Sequence, residues 1–154
     1  MKKKIILSLL IITILLTGCT SNKTKTKIDS IKFTNTAISQ GYTVTDNTQK
    51  YQNATYITSS TLAKISDDLE IEMVIYDTEE TASKAQEQHI NSFNLLKGSG
   101  ATIDKESGKN YYHYEMISNN YYMISTRIDN TLIFSKVKLS DKDKVTSVIN
   151  NLDY

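Results

Sequence analysis

The chain reads as an α+β protein: a two-layer sandwich whose antiparallel sheet of five to six strands, ending in a three-stranded meander, is covered on one face by about three helices. Three observations carry this expectation. Residues 69–76 alternate Leu69, Ile71, Met73 and Ile75 with Glu70, Glu72, Val74 and Tyr76, the period of a half-buried strand. Tyr111 to Ile117, Tyr121 to Ile128 and Thr131 to Leu139 are three strand-like runs in quick succession, joined by Ser118-Asn119-Asn120 and Asp129-Asn130. Segments before, between and after these blocks instead place apolar residues at helical spacing.

Taken in order, Asp29 to Gln40 is the first helix, capped by Asp29 or Ser30, with Ile31, Phe33, Ala37 and Ile38 as its apolar set and Gly41 as its stop. Tyr42 to Thr45 is extended, and Asp46 to Asn53 is a polar loop. Two strands follow, Ala54 to Ile65 and Leu69 to Tyr76, about the turn-forming Ser66-Asp67-Asp68. Asp77 to Leu96 is the clearest helix: Asp77 caps it, Glu80 stands three residues on to return the hydrogen bond, and Ala82, Ala85, His89, Phe93 and Leu96 share a face. Lys97-Gly98 closes it, Gly98-Ser99-Gly100 is a flexible exit, and Ala101 to Asn110 is a polar loop with room for a short strand. Asp-Asn tolerates the positive φ that a two-residue hairpin demands, which makes residues 111–139 a meander. Ser140 caps the last helix, with Asp143 at the box position and Val145, Val148, Ile149 and Leu152 on one stripe.

Ahead of this domain lie Lys2, Lys3 and Lys4, then Ile5 to Leu16 interrupted only by Ser8 and Thr13, then Thr17, Gly18 and Cys19. A positive start, a short apolar run and a small residue before the cut are the parts of an export signal. About a dozen apolar residues fall short of the roughly 20 needed to span a bilayer. Leu16-Thr17-Gly18-Cys19 resembles the lipobox of bacterial lipoproteins. That resemblance implies cleavage between Gly18 and Cys19 and a diacylglyceryl thioether on Cys19. The expected organisation is a cleaved signal over 1–18, a lipidated Cys19 with a flexible polar tether over 19–27, and one domain over 28–154. The expected address is the extracytoplasmic face of the cell membrane.

From Ile28 onward, 12 Lys and Arg face 17 Asp and Glu, so the domain carries none of the basic excess of a nucleic-acid binder. Cys19 is the sole cysteine, which leaves no disulfide to hold the fold. Absence of Pro and Trp, with abundant Asn, Ser, Thr, Lys and Ile, suggests an AT-rich genome of Gram-positive, Firmicutes-like type.

No catalytic constellation is legible, and no metal site or cofactor beyond the covalent lipid is expected. His89 lies on an apolar helix face as a core or core-edge residue, while His113 shares a strand face with Tyr111 and Glu115. Serines are plentiful, yet none has a base and an orienting group in a recognisable pattern. The unusual feature is Tyr111, Tyr112, Tyr114, Tyr121 and Tyr122 in two successive strands. Cross-strand tyrosine pairing accounts for them as sheet packing. The alternative is an aromatic recognition face, for which Tyr111, His113, Tyr121 and Arg127 are the candidates because their register is expected to oppose that of Ile124 and Ile128.

Gly41-Tyr42-Thr43-Val44-Thr45-Asp46 and Arg127-Ile128-Asp129-Asn130-Thr131-Leu132-Ile133 resemble segments of small Gram-positive lipoproteins, a likeness of length and layout with no activity attached. The leading expectation is a membrane-anchored, non-enzymatic module binding a protein, peptide or envelope component. Two alternatives stand beside it: an envelope enzyme or enzyme accessory with an unrecognised site, and the precursor of a secreted peptide derived from the signal.

Overall fold

The computed structural model describes residues 22–154. The signal segment over 1–18, the cleavage site at Gly18 and Cys19 lie outside the described residues. Three helices, α1 (Ser30–Ser39), α2 (Glu79–Asn94) and α3 (Lys142–Asn151), accompany seven strands: β1 (Thr43–Asp46), β2 (Ile57–Ser66), β3 (Leu69–Tyr76), β4 (Thr102–Ser107), β5 (Tyr111–Ser118), β6 (Tyr121–Ile128) and β7 (Thr131–Lys138). All join one antiparallel sheet in the order β1-β2-β3-β7-β6-β5-β4. The α+β class, the three helices and the C-terminal meander are therefore as expected. The extended segment 42–45 and the loop 101–110 supply the edge strands β1 and β4, which brings the sheet to seven.

One part of the expected architecture is corrected. The helices do not share a face. Phe33 and Ala37 of α1 and Val145, Val148 and Ile149 of α3 pack with Ile71, Met73, Ile124 and Ile133. Ala82 of α2 packs with Val74, Tyr76 and Leu132, and Phe93 with Tyr114, Met116 and Met123. Val74 and Leu132 alternate with Met73 and Ile133 along their strands, so α2 lies on the opposite side and the molecule has three layers. In β3 the face begun by Glu70 and Glu72 becomes apolar at Val74 and Tyr76 because α2 covers it there.

Local chemistry explains most boundaries. Asp29 caps α1 by accepting from Lys32 N at 2.8 Å, and Gly41, at φ +87°, lets the chain leave it. Ile31 and Ile38 point away from the core, Ile31 being 68 % exposed, so the apolar set of α1 reduces to Phe33 and Ala37. α2 is capped one residue later than expected, by Thr78 Oγ1 accepting from Thr81 N at 3.1 Å. It also ends two residues early, which leaves Leu96 half in solvent. A 3-10 turn over Leu139–Asp141 runs directly into α3, so Ser140 is not its cap. Asn119 and Asn120 both take positive φ in the β5–β6 turn, and Asp129 does so between β6 and β7.

Gly98 is pinned and not flexible: its N–H donates to Ser118 Oγ at 2.8 Å, and a Cβ there would collide with the Asn119 amide. The segment expected as a tether is also held from Lys23 onward. Lys109 N donates to Lys23 O at 2.9 Å, and Asn110 clamps Lys25 by accepting from its N–H at 3.0 Å and donating to its carbonyl at 2.9 Å. Lys27 Nζ donates to Asn130 Oδ1 at 2.9 Å.

With no disulfide among its residues, the domain depends on its cores. Truncating Ile149→Ala, whose side chain is fully enclosed, should lower unfolding free energy by about 2–5 kcal/mol. The solvent-facing Ile31→Ala should change it by no more than about 0.5 kcal/mol. Urea denaturation of the two variants measures the contrast, and equal losses would contradict a core that encloses Ile149 and leaves Ile31 in solvent.

Candidate functional site

The four residues expected to form an aromatic recognition face do not share one. Tyr111 pairs with Ile128 and His113 with Thr126, which puts both on the α1/α3 side, the side of Ile124 and Ile128. Tyr121 and Arg127 project from β6 in the opposite phase, toward α2. Tyr111 is only 3 % exposed and donates to Glu106 Oε1 at 2.7 Å. Arg127 is buried against Glu79 Oε1 and the Asp129 carbonyl, both at 2.9 Å. Tyr121 alone is well exposed, under the Lys136 ammonium at 5.0 Å. The pleat separates them because residues an odd number apart on one strand face opposite sides, and the register carries that parity across to β5.

His113 belongs instead to a small polar network with Glu115 of β5, Tyr122 of β6 and Lys142 of α3. Glu115 accepts from Tyr122 Oη at 2.7 Å and lies 3.9 Å from His113 Nε2 and 3.8 Å from Lys142 Nζ. His113 foremost, then the Tyr122 hydroxyl and Lys142, bring the Glu115 carboxyl from 4.5 down to about 2, against the opposing effect of burial.

A second group, not anticipated from sequence, forms a site-like groove. Glu72 projects from β3 toward the α2 side and is 6 % exposed. Three donors converge on its Oε1: Ser60 Oγ at 2.7 Å, Asn47 Nδ2 at 2.8 Å and Tyr51 Oη at 2.9 Å. These come from β2, from the residue before the 3-10 turn Thr48–Tyr51, and from that turn's last residue. The turn is seated by Asp46 Oδ1 accepting from Thr48 N at 2.8 Å and by Thr48 Oγ1 accepting from Ser60 N at 3.0 Å. A register shift in β2 between Ile57 and Ser59 helps set Tyr56 and Ile57 beside Tyr76. The Tyr56 and Tyr76 rings stack nearly parallel, 6.5 Å between centroids and 4° between planes.

His89 of α2 closes the other side, its imidazole 3.9 Å from the Phe134 ring centroid. Burial pushes its pKa below the usual histidine value, and the nearby Glu72 charge only partly opposes that. Tyr76 rises to about 12 through burial first and the Glu72 charge second. Burial and the Glu72 hydrogen bond raise Tyr51 in the same direction. The cavity is about 400 Å³, walled by Tyr51, Tyr56, Tyr76, His89 and Phe134 with Glu72 in its lining. A neighbouring hollow of about 290 Å³ shares Glu72, His89 and Phe134 and extends the groove toward Lys136. The pair falls in the size range of small-ligand sites.

Among the described residues, no group of three His, Cys, Asp or Glu side chains is placed to hold a metal ion. The groove can hold a ligand between aromatic faces and set one carboxylate against it. Its sequence signal was faint: an acidic residue, Glu72, on a strand face that turns apolar two residues later. Tyr51 fell in the expected polar loop 46–53, where the chain instead forms a 3-10 turn, and Tyr56 in the expected strand 54–65, which begins only at Ile57.

The chain matches no protein-family model and no curated protein. Among solved structures it is similar to a GTP binding regulator from Thermotoga maritima, at 15 % identity and a TM-score of 0.42, over 77 % of this chain and 85 % of that one. A likeness that loose carries neither fold nor function across.

The polar network gives a pH test. A carboxyl lowered in the folded state contributes stability that is present above its unfolded pKa and is lost as pH falls toward the folded value. Glu115→Gln should therefore flatten the acid limb of the stability curve between about pH 4.5 and 2. Urea midpoints across that range report it, and an unchanged slope would refute the coupling.

Proposed function

We propose that this protein is an extracytoplasmic lipoprotein, anchored through lipid on Cys19, whose domain is a binding module with the groove beneath α2 as its ligand site. The anchor reading is supported by Lys2 to Lys4, the short apolar run Ile5 to Leu16, and Leu16-Thr17-Gly18-Cys19. Two acyl chains on one cysteine suffice for stable membrane attachment. No helix among the described residues is long and apolar enough to cross a membrane.

The observation that carries the binding reading is the aromatic-walled groove around a buried, only half-satisfied carboxylate. The groove sets the carboxylates of Glu70 and Glu72 among aromatic rings, with Lys50, Gln88 and Lys136 also in its lining, and the hydroxyl nearest Glu72, Ser60 Oγ, spends its proton on that carboxylate. Ser135 Oγ likewise spends its proton on the Glu70 carbonyl.

Geometry also relates anchor to groove. Only three residues separate Cys19 from the docked Lys23, a reach of about 14 Å when fully extended. The Lys23–Lys27 segment runs past Asn110 and Asn130, and Asn130 O accepts from Tyr76 N at 2.9 Å. The docked 23–27 segment and the Tyr56–Tyr76 mouth of the groove lie at the same end of the sheet, which on the anchor reading is the end nearest the lipid.

Metabolic labelling with radioactive palmitate, followed by membrane fractionation, tests the anchor. The native chain should incorporate label and sediment with membranes, whereas Cys19→Ser should lose the label and leave the bilayer unless the uncleaved signal holds it there. A Cys19→Ser chain that still carries lipid overturns the assignment.

A further inference from the structure

We propose that the groove beneath α2 receives an organic ammonium group, a primary or alkylated amine seated among the rings of Tyr51, Tyr56 and Tyr76 and against the second carboxylate oxygen of Glu72. The inference rests on the reading of the domain as a binding module and specifies the chemistry of its ligand.

The argument begins with charge. A carboxylate removed from water is costly unless hydrogen bonds and an opposite charge compensate it. Glu72 has the hydrogen bonds on one side only: Asn47, Tyr51 and Ser60 all donate to Oε1. Among the described residues, no Lys, Arg or His forms an ion pair with it. Oε2 has no hydrogen bond, yet it is not among the sealed, unpartnered polar atoms, and Glu72 lines both hollows of the groove. The unsatisfied half of the charge therefore faces the cavity. His89, which lines both hollows, has its pKa held below the usual histidine value by its own burial beside Phe93 and Phe134, and Lys50, which lines the larger hollow, stands over the Tyr51 ring without pairing with Glu72.

The walls favour the same class of ligand. Aromatic faces attract cations through their quadrupole, more strongly where water is excluded. Tyr51, Tyr56 and Tyr76 surround the cavity with Phe134, and Lys50 Nζ already stands 5.5 Å over the Tyr51 ring at the rim. Glu70 lines both hollows beside Glu72, two carboxylates against one lysine in each hollow, Lys50 in the larger and Lys136 in the smaller, with Lys64 Nζ 3.8 Å from Glu70 Oε2. About 400 Å³ accommodates a trimethylammonium or the end of a lysine side chain. Both present the same charged nitrogen, from a small amine or from a peptide.

Glu72 also holds the Thr48–Tyr51 turn in place, and the test must separate the two roles. Glu72→Gln keeps a carbonyl oxygen for the three donors and removes the charge. Tyr56→Ala opens one wall at a half-exposed ring that makes no hydrogen bond to Glu72. The full-length lipoprotein in detergent micelles is titrated with choline, ethanolamine and an acetylated Gly-Lys-Gly amide. The norleucine peptide and acetate are controls at matched ionic strength, and tyrosine ring resonances with calorimetry report binding. The ammonium probes should bind and the controls should not. Glu72→Gln should weaken binding at least tenfold with the thermal midpoint retained, and Tyr56→Ala should weaken choline several-fold.

A tighter lysine peptide assigns a peptide ligand; tighter choline or ethanolamine assigns a free amine or a lipid headgroup. Ammonium binding unaffected by both variants overturns the proposal. Binding of the norleucine peptide or acetate to the same tyrosines, without the amines, overturns the ammonium assignment and leaves the binding module standing. No binding by any probe overturns the ammonium assignment and removes the support that the groove gives to the module.

Discussion

The pairing of β3 with β7 is the joint on which the rest of the molecule depends. Two antiparallel units, β1-β2-β3 and β7-β6-β5-β4, are joined in the sheet by the register Glu72↔Phe134, Met73↔Ile133, Val74↔Leu132 and Ile75↔Thr131. The partners lie some sixty residues apart in sequence, so closing this pair costs far more chain entropy than forming any of the hairpins. The cost is offset by burying both strands on both faces. Met73 and Ile133 pack under α1 and α3, and Val74 and Leu132 pack under α2.

From that joint the place of α2 follows. The chain leaves β3 at the centre of the sheet and returns at the far edge as β4, so the intervening helix has to cross a face. It is fastened there by polar contacts as well as apolar ones. Gln86 Nε2 donates to the carbonyls of Tyr112 and Ser125 at 2.8 and 3.0 Å, and Arg127 reaches Glu79 in the first turn. Covering β6, β7 and part of β3 leaves the β2–β3 flank beside the helix uncovered, and that flank becomes the groove. Glu72 sits at its floor because the same register that centres Met73 beneath α1 and α3 turns Glu72 the other way.

The two polar networks show how environment decides the use of a carboxylate. Glu115 has a histidine, a tyrosine hydroxyl and a lysine around it, which settle its charge within the fold. Glu72 has three neutral donors on one oxygen and open space at the other. The first arrangement stabilises the sheet, and the second leaves an interaction to be completed by something else.

Much of this fold was legible in the sequence. The alternation of Leu69 to Tyr76, the Asn and Asp turns, Asp29 as a cap, Gly41 as a stop and the stripe Val145, Val148, Ile149 and Leu152 are local signals, set by neighbours within a few residues, and each has its place in the structure. Tertiary structure decided the rest. Periodicity tells which residues of a strand share a side but not which layer covers that side, so α2 on its own face, the outward turn of Ile31 and Ile38, and the separation of Tyr111 and His113 from Tyr121 and Arg127 were not readable. Nor was the groove, since Tyr51, Tyr56, Glu72 and His89 come from a turn, a loop, a strand and a helix. The β2–β3 pairing brings the first three together, and the β3–β7 pairing with α2 crossing the sheet adds Phe134 and His89.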